Sequence, residues 1–118
     1  MIGAGNRIFR YALAGLMVVS AIPAAAGSCT GVVVGVGPFD GYSHETGVGY
    51  LAVRTGPGVE NRQVGDLYPG DLVTVNGRSG MWFEIGCMSG RCVEPLWGES
   101  LPSGWVSGHY LKLLGECP

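Results

Sequence analysis

The sequence predicts an all-β fold, a small barrel or sandwich, and three observations lead there. Of 118 residues 22 are glycine, and only 14% are charged. Past the N-terminal stretch, no window longer than a few residues carries the 3.6-residue repeat of an amphipathic helix. Short apolar or β-branched runs separated by Gly, Pro and Asn fill the chain instead, which is the pattern of strands joined by tight turns.

The N-terminal stretch obeys a different logic. Arg7 and Arg10 precede the apolar run Tyr11 to Val19, and Pro23 and Ala24-Ala25-Ala26 follow. A basic region, a short apolar core and an A-x-A site together predict a secretory signal over residues 1–26, cleaved after Ala26. The apolar core is too short for a permanent span, which needs about 20 residues. No stable membrane insertion is therefore expected after cleavage, and the product is expected to be secreted or periplasmic. A rival reading takes Ala26-Gly27-Ser28-Cys29 as a loose lipobox that would lipidate Cys29. Ala26 stands where such motifs usually carry Leu or Val, so a soluble product is preferred.

Loss of Arg7 and Arg10 would leave five of the seven basic residues against nine acidic ones, a net charge of −4. Such a balance argues against nucleic acid as a partner, because a basic stripe supplies most of that affinity. It argues equally against a polybasic hold on anionic lipid.

All four cysteines, Cys29, Cys87, Cys92 and Cys117, follow the signal. In an oxidising compartment an even number of cysteines in a small domain reads as disulfides, here with three possible pairings. Cys87 and Cys92 flank Gly90 as across a hairpin tip, and Cys29 and Cys117 sit at the two ends, so 87–92 and 29–117 are expected. The alternative is a four-thiolate zinc site. Its C-x₂₋₄-C spacing would admit Cys87 and Cys92 at the limit and the terminal pair not at all.

In chain order, residues 30–37 predict a first strand and residues 38–47 a loop. Tyr50 to Arg54 alternates as a strand and is closed by Thr55-Gly56-Pro57-Gly58, a strong turn signal. Residues 63–67 form a short strand, and Tyr68-Pro69-Gly70-Asp71 turns the chain again. Leu72-Val73-Thr74-Val75 predicts a strand ended by the hairpin-type dipeptide Asn76-Gly77, with Met81 to Ile85 pairing back. Residues 93–102 are unpatterned, hold Trp97 and are bounded by Pro95 and Pro102. Trp105-Val106 and residues 108–114 close the chain as a short helical turn and an edge strand.

The order of these signals resembles the bacterial SH3 (SH3b) domain family. Residues 49–57 (GYLAVRTGP) are similar to the family's LNVRSGP start. Residues 64–75 (VGDLYPGDLVTV) resemble its G-x-L-x-x-G-x-x-V-x-V middle, and residues 80–85 (GMWFEI) its G-W-x-x-V. Residues 104–111 (GWVSGHYL) resemble its closing GWVSSxYL. The resemblance spans about residues 48–114 and implies a small SH3-like barrel, disulfide-stapled. The expected organisation is a signal over 1–26, an N-terminal extension over 27–47, a domain over 48–115 with an insertion at 93–102, and a tail over 116–118. Extension and insertion are both additions to the usual pattern, and either would cover or reshape a ligand face.

Catalysis is not expected. His44 lies in a loop and His109 beside Tyr110, with no partner predicted for either, and a general base needs both a partner and a pocket. Glu94 and Glu99 share one loop and read as solvated. Arg54 sits at the corner before Gly56-Pro57, where it braces the turn through backbone carbonyls or contacts a ligand. Trp82 and Trp105 serve first as core area and second as contacts. Trp97 is either a lid over the barrel or an exposed anchor. Tyr42, Tyr50 and Tyr110 would line a shallow aromatic groove with it.

The ligand-binding set is thus Tyr50, Arg54, Trp82, Trp97, Trp105 and Tyr110. No cofactor or metal is expected. The resemblance implies an exported binding module for cell-wall peptide or glycan, or for a protein partner in the envelope. The alternative is a structural or inhibitor-type interaction protein using the 93–102 loop.

Overall fold

A computed structural model describes residues 28–117; the expected signal over 1–26 lies outside the described residues. Among the described residues seven strands follow one another: β1 (Cys29–Val33), β2 (Leu51–Arg54), β3 (Gln63–Leu67), β4 (Leu72–Ser79), β5 (Trp82–Ser89), β6 (Ser103–Ser107) and β7 (Leu111–Gly115). Three single 3₁₀ turns, Phe39–Gly41, Arg91–Val93 and Gly108–Tyr110, are the only helical pieces among the described residues. All strands pair antiparallel in one sheet, in the order β3-β2-β6-β5-β4-β1-β7.

Period-two alternation decides what each strand buries. Leu51 and Val53 of β2, Val73 and Val75 of β4, and Phe83 and Ile85 of β5 point inward. Leu67 of β3 and Leu111 of β7 join the same core, although their strands stand at opposite ends of the sheet order. The sheet must therefore curl around a single core, which is what gives a chain of alternating short strands a barrel-like interior.

Three boundaries depart from the sequence reading. The first strand stops at Val33 rather than Gly37, because Gly35 and Gly37 both take positive φ, +74° and +85°, and break the extended run. Asn76-Gly77 does not turn the chain. The register passes from Val75↔Ile85 to Gly77↔Glu84, so Asn76 is the extra residue of a bulge, and the strand continues to Ser79. The hairpin turn falls instead at Gly80-Met81, between the paired Ser79 and Trp82. Cys87 and Cys92, finally, do not face each other across a hairpin tip: Cys87 lies within β5 and Cys92 within the 3₁₀ turn that follows it.

Both expected disulfides are present, Cys29–Cys117 and Cys87–Cys92. Their formation removes the thiolates that a zinc site would need, and the first occupies the sulfur that lipidation of Cys29 would use. The 93–102 loop caps the outer edge of β3. Gly98 bridges to Gly65, and Glu99 N–H donates to the Val64 carbonyl at 3.1 Å. One edge of the sheet is thereby protected, while the other, β7, stays short and carries Lys112 and exposed Leu114.

Candidate functional site

Tyr50 immediately precedes β2, Arg54 ends it, Trp82 opens β5, and Tyr110 belongs to the 3₁₀ turn before β7. The curl of the sheet brings these four to the walls of one open groove of about 350 Å³, with Val36 and Val59 beside them. Register explains part of the convergence, since Trp82 pairs with Ser107, which also lines the groove and caps the turn that carries Tyr110. Tyr50 is oriented by its hydroxyl, which donates to the His44 carbonyl at 2.9 Å. Arg54 is oriented by a bond from its guanidinium to the Asn61 carbonyl at 3.0 Å, across the Gly56-Pro57 turn. The bracing role expected of Arg54 is therefore met by one of its N–H groups, which leaves the others for the groove.

The remaining two candidates lie elsewhere. Trp105, in the middle of β6, lines a second hollow with Thr55, Glu84 and Glu99 and does not reach the groove. Trp97 stacks its ring on His44, with centroids 4.1 Å apart and planes 17° from parallel. His44 in turn stacks on Tyr50 at 5.4 Å. A ribbon of three rings thus runs from the 93–102 loop through the N-terminal extension to the groove wall, with Trp97 36% exposed at its outer end. Tyr42 is not in the groove; it packs behind Tyr50, 5.8 Å away. His109 is exposed, edge-on to Tyr110 at 5.0 Å, and Glu94 and Glu99 are exposed as well.

Behind this ribbon lies a network that sequence reasoning missed. Asp66, fully buried in β3, accepts from the Tyr42 hydroxyl at 3.0 Å, the Tyr68 hydroxyl at 3.3 Å and the Gln63 amide at 2.7 Å. The Tyr68 hydroxyl also accepts from the Leu96 N–H at 2.8 Å. His44 Nδ1 sits 3.9 Å from the same carboxylate and is buried without a hydrogen-bond partner. Extension, β3 and the 93–102 loop are therefore joined at one carboxylate. The only signal in the sequence was an acidic residue, Asp66, placed between Gly65 and Leu67 inside a short strand.

Burial pushes the Asp66 carboxyl above the usual carboxylate range, against the bonds from Tyr42, Tyr68 and Gln63 and the charge of His44. Asp71 is raised for the same reason, outweighing three amide bonds. The consequence for stability has a definite sign. The folded state binds protons at a pH where the unfolded chain is still ionised, so these two groups add stability as pH falls from their raised values toward about 4. The thermal midpoint is expected to hold or rise on acidification from pH 7 to about 4.5, and Asp66→Asn should flatten that profile. A parallel profile in the variant would show that Asp66 titrates elsewhere.

The model of the bacterial SH3 domain matches residues 49–112, more than half of the chain. The chain belongs to the bacterial SH3 domain family. No curated protein matches the sequence. Domains of this family are typically binding modules, commonly for cell wall. The matched span of this SH3 domain contains all four groove residues and both outlying tryptophans. Tyr42 and His44, by contrast, come from the segment that precedes it. The two disulfides fit an oxidising location, and among the described residues no helix is long and apolar enough to cross a membrane.

Proposed function

We propose that this SH3 domain is an exported, non-catalytic binding module, secreted or periplasmic, whose groove of Tyr50, Arg54, Trp82 and Tyr110 holds an extended segment of cell-wall peptide or glycan, or of an envelope protein. The observation that carries the reading is the convergence of these four residues, spread over sixty positions of sequence, on one open hollow of about 350 Å³. Aromatic walls offer large contact area at low entropic cost, and Arg54 supplies a directional polar group.

The test is retention of the purified protein on insoluble peptidoglycan. Wild type should sediment with it, and Trp82→Ala should weaken retention about tenfold or more, the loss expected when an aromatic anchor is truncated. Absence of wild-type retention would overturn the cell-wall reading in favour of a protein partner. One observation favours a second surface for such a partner. Leu96, Trp97 and Leu101 stand exposed together in the 93–102 loop, at 62%, 36% and 53%. Binding lost in Trp97→Ala but kept in Trp82→Ala would assign the contact to that loop.

A further inference from the structure

Among the described residues that line the groove, Arg54 is the one with a formal charge; the rest are aromatic, aliphatic, glycine or serine. Its recorded hydrogen bond goes to a backbone carbonyl, and among the described residues no carboxylate pairs with it. Two carboxylates of the neighbouring segments are otherwise engaged. Asp66 is enclosed by Tyr42, Tyr68 and Gln63. Glu60 lies back over Gly58, where its carboxylate occupies the space a Cβ would take. This uncompensated cation stands in a domain where acidic residues outnumber basic ones, nine to seven over the whole chain. A guanidinium held at one corner by a carbonyl keeps the fork of N–H groups that matches a carboxylate in two-point fashion.

We infer that the groove selects peptide segments bearing a free carboxylate, which Arg54 reads while Tyr50, Trp82 and Tyr110 pack the neighbouring chain. The inference rests on the groove being the binding site and narrows its ligand from peptide or glycan to an acidic peptide. An aromatic groove with a neutral rim would suit a sugar equally well; a lone unpaired cation on its wall does not serve a neutral glycan. A positively charged peptide would meet Arg54 with repulsion and leave it unpaired and partly desolvated.

The probe is a soluble four-residue cell-wall stem peptide with free carboxyl groups, set against the same peptide amidated at each carboxyl. Binding is followed by isothermal titration calorimetry, which reads wild type and the Trp82 variant alike. The free acid is expected to bind about tenfold or more tightly than the amide, with an advantage that shrinks as salt rises. Arg54→Gln should abolish the difference between the two forms, and Trp82→Ala should weaken both alike. Arg54→Lys keeps the charge without the fork and should retain part of the preference, which tests the idea even if the glutamine variant folds poorly. Equal binding of acid and amide by wild type overturns the inference. So does retention on insoluble peptidoglycan without binding of either peptide, an outcome that leaves the groove reading intact and turns it toward glycan. If neither peptide binds and peptidoglycan does not retain the protein, the inference falls together with the cell-wall reading, and an envelope protein is left as the partner.

Discussion

Replacing Cys29 and Cys117 together with alanine is expected to cost up to about 4.6 kcal/mol, whereas the same treatment of Cys87 and Cys92 costs up to about 2 kcal/mol. The difference comes from the loops they close, with sequence separations of 88 and 5. A cross-link over nearly the whole folded chain removes far more freedom from the unfolded ensemble than one over a short ring. Alanine is the right replacement because each pair contains one buried sulfur, Cys29 at 5% and Cys92 at 0% exposure, so the lost packing is similar and the contrast isolates loop closure. A domain of this size has about 5–15 kcal/mol in total. The terminal disulfide is therefore a large fraction of its stability, and its removal should lower the thermal midpoint by roughly 20 °C. The structure adds a local reason. Cys29 stands opposite Gly115 where β1 meets edge strand β7, so the bond also prevents that edge from peeling. Thermal denaturation of the two double variants, in the absence of reductant, decides the matter. Equal losses would mean that native-state strain or residual unfolded structure outweighs loop entropy here.

What could be read from the sequence was whatever depends on near neighbours. Alternation in Leu51 to Arg54 placed β2, and alternation in Leu72 to Val75 placed the start of β4 though not its end at Ser79, because a half-buried strand shows its two faces in consecutive letters. The disulfide pairing was readable from spacing, since only the ends of a small barrel bring Cys29 and Cys117 together. Asn76-Gly77 misled because the same dipeptide that favours a hairpin turn also suits a bulge, and the choice depends on how far the partner strand extends. Four of the six candidate site residues reach one groove because the family's order of motifs fixes which strand ends adjoin. Trp105 and Trp97 fail for different reasons. The position of Trp105 within β6 commits it to a different hollow, one lined with Glu84 and Glu99, and Trp97 depends on where an unpatterned loop comes to rest. That resting place is set by Asp66, Tyr68 and His44, three residues whose meeting spans two additions to the fold and leaves no local trace.

Asp71→Ala is expected to cost about 3–5 kcal/mol, and the reason is an acidic residue that reads in sequence as ordinary turn chemistry. Its carboxylate is buried at 1% exposure and accepts three backbone N–H groups: Tyr68 at 2.8 Å, Arg91 at 2.8 Å and Cys92 at 3.1 Å. Two of these donors lie about twenty residues away, so one side chain ties the β3–β4 turn to the 3₁₀ turn after β5. Truncation strips all three amides of their partner at once, and each buried unsatisfied donor costs about 1–3 kcal/mol, with water relieving the more exposed Arg91 site in part. The approach is close enough that Gly90 has no room for a side chain; a Cβ there would collide with the Asp71 carboxylate, and its φ of +114° already favours glycine. Urea denaturation gives the magnitude, and amide hydrogen exchange gives the cause. Exchange at Tyr68, Arg91 and Cys92 should accelerate in the variant well beyond the change at Ile85, in the centre of β5. A loss below about 1 kcal/mol, with those three amides still protected, would mean that water takes over the acceptor role.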